Sequence, residues 1–214
     1  LPVFSIDNFP VTNEQFSVFL SAVGPAKVKG EKLFDVDDPD ARLHQRGEKW
    51  AADKGYESHP VVEVSWLGAR DYCAWVGKRL PTEAEWEKAA RGVEGFEYPW
   101  GNTWDTKKIN TMSENPDAPY SAVGSYPEDV SPYGAYDMAA NVSEWVADWY
   151  KAYPNAPTSD IKYFGEKQRV VRGGVTSSGH YDSVSVVFRA AKRTHLLPNS
   201  ALIDLGFRCV KDVK

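Results

Sequence analysis

The chain has 214 residues, of which 42% are hydrophobic, 13% aromatic and 26% charged. This length and composition are typical of one globular domain with a sizeable core, and no apolar run approaches the ~20 residues that a membrane span requires. The net charge of −5 argues against nucleic acid as a partner, because binding to phosphates requires a basic face.

Three segments carry helix start signals. Residues 12–15 and 82–85 predict capping boxes, in which a Thr side chain accepts from a free amide and a Gln or Glu side chain reaches back. Ser65 is a candidate N-cap between them, and Gly77 and Gly92 are stop signals. Each start is followed by apolar residues spaced as on one buried helix face. These residues are Phe16, Phe19, Leu20 and Val23; Trp66, Ala69, Tyr72, Cys73 and Val76; and Trp86 and Ala89.

The rest of the chain shows little periodic pattern. Residues 24–60 and 92–131 are polar and rich in turn-forming residues, and long stretches of this kind are usually functional or stabilised by additional contacts. Short strand-like runs appear at 169–172, 183–190 and 205–210. The pattern predicts one α+β domain over residues 1–214 with little regular structure for its length.

The two cysteines, Cys73 and Cys209, lie far apart in the sequence and form no C-x-x-C motif. A disulfide cannot be inferred from two residues alone. We expect two buried free thiols, with a bridge as the alternative. The cellular compartment is left open by this count.

Six segments, taken in order, carry a family resemblance. They are FPVTNEQF (9–16), HPVVEVSWLGARDYCAWVGKRLPTEAEWEKAARG (59–92), YPWGN (98–102), YGAYDMAANVSEWVADWY (133–150), RVVRGG (169–174) and LGFRC (205–209). Together they resemble the formylglycine-generating enzyme, or sulfatase-modifying factor, domain family. The resemblance implies a variant of the C-type lectin fold with two to three short helices and small antiparallel sheets. The family's opening strand, which precedes residue 9, is expected to be missing or shortened.

The resemblance does not extend to the family's copper chemistry. Oxidase members bind Cu(I) through two cysteines, five residues apart, in the loop that follows RGG. These positions correspond to Ser178 and Ser183 in this chain, and hydroxyls do not hold Cu(I) as thiolates do. We therefore expect neither copper nor the family's catalytic residues. A related branch that uses a three-histidine iron site is also disfavoured, because the four histidines show no paired ligand spacing. They are His44, His59, His180 and His195.

A hydrolase triad of Ser178, His180 and Asp182 is a second catalytic interpretation. In an extended segment these side chains share one face but sit ~6.6 Å apart. A working triad requires contacts of ~2.6 to 3.2 Å, usually from distant parts of the chain. A polar exposed loop is the better interpretation.

The resemblance also implies two structural calcium sites, in which side-chain oxygens combine with backbone carbonyls. The alternative is that these residues form hydrogen-bonded turns. The first site would use the carboxylates of Asp137 and Glu144 with the carbonyls of Ala140 and Val142, and the second would use Asn110 and Asp117.

Three arginines, Arg172, Arg189 and Arg208, adjoin apolar strand-like runs. Buried arginines normally pair with carboxylates, so we expect them to bind acids such as Asp137 or Asp148. Contact with a ligand is the alternative.

Residues 175–205 are depleted in five residue types. Lys192 is the one Lys, Glu, Gln, Met or Trp among these 31 residues, whereas the five types account for 41 of the other 183. At that rate about seven would be expected. Strand-rich segments lack Lys and Glu for structural reasons, which accounts for part of the deficit. The five types are, however, those that cannot be reached when the first two bases of an Asn codon ending in a pyrimidine are randomised.

Adenine mutagenesis would leave this pattern, and the variable proteins of diversity-generating retroelements carry such regions on the same fold, between RGG and GFR. The resemblance therefore implies a variable ligand-binding region at 175–205. Its mixture of hydroxyl, aromatic and amide side chains resembles antibody loops, where such residues make adaptable contacts. The predicted ligand face consists of Val175, Thr176, Ser178, His180, Tyr181, Asp182, His195, Leu196, Asn199, Leu202 and Ile203.

Three functions remain open from the sequence. The preferred one is a non-catalytic protein that binds a protein or other macromolecular ligand through this diversified surface on a C-type lectin scaffold. The second is a formylglycine-generating-enzyme-like oxidoreductase with an altered active site that lacks the cysteine pair. The third is a structural or assembly module whose surface is merely polar.

Overall fold

Short helices and strands are connected by long loops in the computed structural model, which describes residues 1–24, 32–110, 120–154, 156, 162–174 and 184–213. The helices are α1 (Asn13–Val23), α2 (Trp66–Trp75), α3 (Glu83–Arg91) and α4 (Val184–Val187). The strands are β1 (Phe4–Ile6), β2 (Leu43–Arg46), β3 (Lys49–Ala52), β4 (Ser143–Trp149), β5 (Arg169–Arg172), β6 (Thr194–Leu196), β7 (Leu205–Phe207) and β8 (Val210–Asp212).

The first three helices begin where their caps predict. Thr12 and Thr82 each accept from the backbone three residues on and receive the reciprocal side-chain contact, so both capping boxes are formed. Ser65 accepts from Gly68 N at 3.2 Å and caps α2. The apolar faces are buried as expected except at their last positions, because Val23 and Val76 lie on the exposed surface. Local sequence thus determines these helices.

A four-stranded sheet in the order β6-β5-β4-β7 supports the C-terminal half of the chain. The β4–β5 and β5–β6 pairs are antiparallel, but β4 and β7 are parallel, with Glu144 opposite Gly206. The predicted small antiparallel sheets are present, and the parallel β4–β7 pair is an addition to them. The apolar run at 183–190 was interpreted incorrectly as a strand: from residue 184 it forms the one-turn helix α4, and Val187 and Phe188 then pack into the core.

Two smaller ribbons complete the described structure. The opening strand of the family is present in shortened form, because β1 pairs with β8 and joins the two ends of the domain. The β2–β3 hairpin, which the sequence did not predict, turns at Gly47 with φ 67°. In the described residues no helix is long and apolar enough to cross a membrane.

The main core packs α1 and α2 against the sheet. Its aromatic centre consists of Phe16, Phe19, Tyr72 and Phe207, whose ring centroids lie 5.3 to 6.0 Å apart. A second buried cluster places Trp86 of α3 against the other face of the sheet. The observed fold is the predicted α+β arrangement with few regular elements.

The two cysteines are bonded to each other. Cys73 of α2 and Cys209, between β7 and β8, form a disulfide with a Cα–Cα distance of 5.6 Å, and both are fully buried. The expectation of two free thiols was wrong. The sequence separation of 136 residues gave no indication that the fold brings α2 and the C-terminal strand together.

Candidate functional site

The predicted ligand face is held on a frame made by β5, α4 and β6. After β5 the chain passes through Gly173, at φ 82°, and Gly174, whose amide donates to Ala139 O at 2.7 Å. A Cβ at Gly174 would lie 2.1 Å from the Phe188 ring and 2.6 Å from Ala139 O. The frame therefore requires glycine here, because the backbone passes directly against the core.

The first half of the predicted face lies outside the described residues. This applies to the family's copper positions Ser178 and Ser183 as well as to the candidate triad. Their assignment to the ligand face remains a prediction from sequence. The face residues concerned are Val175, Thr176, Ser178, His180, Tyr181 and Asp182.

In the described half, the face is divided between packed and exposed residues. His195 is half-buried, contacts the Tyr150 ring at 4.2 Å and the Tyr163 ring at 5.1 Å, and bonds to the Gln168 side chain. Burial, followed by the charge of Arg193, lowers the pKa of His195 below its ordinary value. His195 is therefore a neutral, packed residue at neutral pH.

Leu196 and Ile203 also belong mainly to the frame. Leu196 packs against the main core, and Ile203 packs against a small cluster that includes Tyr120 and Val142. The exposed positions are Asn199, Leu202 and, in addition, Leu197, which the sequence analysis did not include. The signal that could have found Leu197 is its place between Leu196 and Pro198, where a strand ends and alternate side chains turn outward.

Backbone hydrogen bonds fix this exposed segment to the helical half of the molecule. Trp66 N donates to Pro198 O at 3.0 Å, and Glu63 N donates to Leu202 O at 3.1 Å. Glu63 is buried and has φ 57°, a left-handed conformation that is uncommon for a residue with a long side chain. The segment that carries Asn199 and Leu202 is therefore held by contacts of its main chain, which are independent of its side chains.

The carboxylate partners of Arg172 and Arg193 lie on α3. Arg172 donates to Glu83 at 2.6 Å and to Glu87 at 2.7 Å, and Arg193 donates to Glu83 at 2.5 and 2.8 Å. Arg189 forms an exposed pair with Glu97 at 3.5 Å. Pairing with carboxylates is confirmed.

The partners named from the sequence were wrong. Asp148 accepts from the Glu83 amide at 2.6 Å, and Asp137 offers its backbone carbonyl to Arg208 at 3.5 Å. The fold instead pairs Arg172 and Arg193 with Glu83, and Arg208 with Glu144.

Arg208 binds one of the predicted calcium ligands. Its guanidinium donates to Glu144 through Nε and Nη2, and Trp86 Nε1 donates to Glu144 Oε2 at 2.8 Å. Glu144 is completely buried and both of its oxygens accept hydrogen bonds from these two residues. This arrangement does not fit a calcium ligand at Glu144, because the carboxylate already compensates the charge of Arg208.

The remaining residues of the first calcium set form a tight turn. Asp137 has φ 56° and accepts from Gly124 N at 2.8 Å, while Val142 N donates to Ala140 O at 3.0 Å. Burial is the main cause that raises the pKa of Asp137 above its ordinary value. Nearby Asp129 is fully buried, and desolvation together with the charge of Asp137 raises its pKa to about 8. These hydrogen bonds hold the turn.

The second predicted calcium set is represented by Asn110, since Asp117 lies outside the described residues. Asn110 is buried, and its Nδ2 donates to Ser121 Oγ at 3.2 Å. Its Oδ1 is buried without any hydrogen-bond partner. An unpaired buried amide oxygen fits a hard cation. Within the described residues no three acidic, His or Cys side chains gather in a metal-binding arrangement.

A cavity of about 880 Å³ lies away from this face, between α3 and the end of β4. Its wall carries charges of both signs that pair with each other: Arg193 binds Glu83, and Arg91 binds Glu87 at 2.6 Å. None of the described ligand-face residues lines it. Its size suits a small ligand, but these four charged side chains are already paired.

Comparison with known proteins relates the whole chain to one family. The Sulfatase-modifying factor enzyme 1-like domain matches residues 1–213. The serine/threonine-protein kinase Pkn1 of Chlamydia trachomatis is 40% identical over 218 residues, which cover 100% of this chain and 34% of that protein. The formylglycine-generating enzyme of Streptomyces coelicolor is 36% identical over 250 residues, covering 98% of this chain and 78% of that enzyme. The chain thus spans about a third of the length of its chlamydial relatives.

Solved structures share the same fold. PvdO from Pseudomonas aeruginosa superposes with a TM-score of 0.70 at 25% identity, over 98% of this chain and 80% of that chain. Treponema denticola variable protein 1 superposes with a TM-score of 0.69 at 21% identity, over 98% of this chain and 84% of that chain. The likeness to these proteins establishes a common scaffold.

Proposed function

Because this chain belongs to the sulfatase-modifying factor enzyme 1-like family, we propose that it is a non-catalytic member that binds macromolecular ligands through its C-terminal face. We propose that residues 175–205 differ between variants of the protein, whereas the surrounding framework keeps the same sequence. The scaffold is shared with Treponema denticola variable protein 1.

The observation that carries the proposal is the bond between Cys73 and Cys209. These are the only cysteines in the sequence, and neither is free. The family's oxygen chemistry depends on two thiolates that hold Cu(I) after RGG, where this chain has Ser178 and Ser183. Because both thiols form a buried disulfide, the chain has no free thiolate for that metal.

The frame supports a role in binding because it keeps its shape independently of the face side chains. Gly174 packs on the core, Arg172 and Arg193 bind acids on α3, and main-chain hydrogen bonds hold the segment around Leu202. Exposed side chains on such a frame can be exchanged at little cost in stability. A preorganised surface also loses less conformational entropy when it binds.

A structural calcium ion at Asn110 is a further part of the proposal. The unpaired Oδ1 of this buried side chain would supply one oxygen ligand, and Asp117 would supply a carboxylate. The ion would be structural and would take no part in a reaction. The first predicted calcium set is not proposed, because Glu144 binds Arg208.

A genomic comparison tests the binding proposal most directly. Sequencing of the gene with its flanks should reveal a near-copy of the codons for residues 170–209 that differs only at template adenines, together with a reverse transcriptase. Codon differences spread evenly over all four template bases would contradict a diversified face. The same search on the codons for 59–92, in the helical half, is the control and should find no such copy.

The alternative function is an oxidoreductase of the formylglycine-generating type with altered chemistry, which the 36% identity to the Streptomyces coelicolor enzyme favours. Incubation of the purified chain with Cu(I), oxygen and a cysteinyl peptide separates the two functions. We expect no aldehyde product by mass spectrometry and no stoichiometric retention of copper. Turnover of the peptide would establish the alternative.

A further inference from the structure

Arg169 differs from every other arginine in the described structure. The sequence contains ten arginines, and nine of them form an ion pair with an Asp or Glu side chain. Within the described residues Arg169 has no such partner. Its one hydrogen bond is donated from Nη1 to Ala147 O at 2.7 Å. Half-buried cations are normally paired with anions, so this one requires an explanation.

Two tryptophans hold the Arg169 guanidinium. Its Cζ lies 3.6 Å from the ring centroid of Trp66 and 3.4 Å from that of Trp149. Two rings this close cannot occupy the same side of one planar group, so they flank it on opposite faces. Trp66 is itself fixed, because its Nε1 donates to Val146 O at 2.8 Å. The guanidinium is therefore held between the two rings, with Nη1 bonded to Ala147 O.

The charge of Arg169 is only partly compensated by this arrangement. Each ring face attracts the cation, but Nε is buried and has no hydrogen-bond partner. Burial, followed by the positive charge of Arg70, lowers the pKa of Arg169 to about 10. Arg70 lies over Trp66 at 5.4 Å and is exposed. Arg70 pairs with Asp71 at 2.7 Å, and the more distant Asp148 and Glu166 only partly offset the lowering, so Arg169 is left with an unpaired Nε and without a carboxylate in contact among the described residues.

This stack adjoins the ligand face. Arg169 lies directly opposite Leu196 in the β5–β6 register. The backbone of Trp66 is bonded to Pro198, next to the exposed Asn199. A partner that covers the exposed segment at 197–202 would therefore also reach the stack.

We propose that Arg169, with Arg70 beside it, is the anion-recognising position of the ligand face and takes an Asp or Glu carboxylate of a protein partner. A carboxylate is planar and matches the in-plane donors of a guanidinium. The flanking rings favour such a flat group over a tetrahedral phosphate. Arg169 and Trp149 are half-buried and Arg70 is exposed, which suits a side chain presented by a larger molecule. This inference rests on the proposed function, since it deepens the description of the same face.

The test uses hexaglutamate as the probe and follows the ¹H–¹⁵N signals of the Arg169 Nε–H and of the Trp66 and Trp149 indoles in the intact chain at low salt. Hexaglutamine and sodium phosphate are the comparison ligands. We expect saturable shifts with hexaglutamate and none with hexaglutamine. An equal response to hexaglutamine, a stronger response to phosphate, or no saturable shift would overturn the proposal.

Variants separate recognition from folding. Arg169→Lys retains the charge but loses the planar donors, and we expect it to abolish the shifts of both indoles. Because Arg169 is half-buried, the exposed Arg70→Gln provides a second arm, and we expect about five-fold weaker binding, equivalent to the loss of one partly exposed charge. Arg46→Gln, on β2, is the matched charge control and should bind normally. If it weakens binding as much as Arg70→Gln, general electrostatics account for the effect and the proposal fails.

The two proposals fail separately. Binding of hexaglutamate without a template repeat in the genome would retain the anion site and refute the diversified face. A template repeat with no response to hexaglutamate would support the diversified face and refute the anion site.

Discussion

Arg208 and Glu144 form an ion pair at 2.7 Å in which both side chains are completely buried. The pair joins the end of β7 to β4, and Arg208 also donates to backbone carbonyls of Asp7, Asn8 and Tyr136. Although burial by itself lowers the pKa of Arg208, the charge of Glu144 raises it above its ordinary value. One side chain thus connects the N-terminal segment, the turn at 136–144 and the C-terminal strand.

Arg208→Met should destabilise the protein strongly. The substitution leaves Glu144 as an unpaired buried charge, for which a loss of about 3 to 5 kcal/mol in the free energy of unfolding is typical. Urea denaturation at pH 7 measures this loss. Arg189→Met, which breaks the exposed pair with Glu97, is the control and should cost at most about 1 kcal/mol. Equal effects of the two substitutions would refute the role assigned to Arg208.

Reduction of the Cys73–Cys209 disulfide should lower stability. The bond closes a loop with a sequence separation of 136 residues, for which the chain-entropy estimate is about 5 kcal/mol. The chain is first unfolded and reduced with a phosphine, and the urea transition is then measured with the reductant present. We expect its midpoint to be lower than that of the oxidised chain. The Cys73→Ala/Cys209→Ala variant should start from the lower midpoint and should not respond to reductant. Two reactive thiols in the unreduced, denatured chain would contradict the bond itself.

Glu63 should make stability fall as pH rises. Burial, followed by the charges of Asp38 and its acidic neighbours, raises the pKa of Glu63 to about 8 from 4.5. The folded state therefore binds this proton more tightly than the unfolded state, so the contribution is complete below pH ~4.5 and is lost as pH rises towards ~8. The slope is at most about 1.4 kcal/mol per pH unit.

Glu63→Gln tests this prediction, because the amide cannot ionise. We expect the variant to be more stable than the parent at pH 9 and similar to it at pH 5, as measured by urea denaturation. Glu94→Gln, at an exposed position, should behave like the parent at both pH values. A variant that is less stable than the parent at pH 9 would show that the ionised carboxylate is favourable in the fold.

Calcium should raise the melting temperature through Asn110. A calcium concentration of about 100 times the dissociation constant raises the free energy of unfolding by about 2.7 kcal/mol. For a chain of this size this corresponds to a rise of about 5 to 10 °C in the melting temperature. Thermal melts in calcium and in EDTA measure the shift, and Asn110→Ala should abolish it. Magnesium is the comparison ion and should act weakly, because it dehydrates reluctantly. An unchanged shift in Asn110→Ala would place the ion elsewhere.

The ligand face was only partly predictable. His195 and Leu196 were selected by composition, but the fold packs His195 between Tyr150 and Tyr163 and places Leu196 against the core. Leu197, which the sequence analysis did not include, is exposed. Residue type indicates which side chains can make adaptable contacts, whereas exposure depends on the register of β6 with β5.

The sequence by itself determined the helix starts and the family to which the scaffold belongs. A capping box is a contact between residues three apart, so Thr12 with Gln15 needs no information from the rest of the chain. The tertiary structure decided the pairings. Arg172 binds Glu83 across 89 positions, whereas Glu166, which is much nearer in the sequence, pairs with Lys151. The physical reason is that a buried charge takes whichever opposite charge folding brings into the same low-dielectric environment, and the packing of helices on the sheet sets that distance.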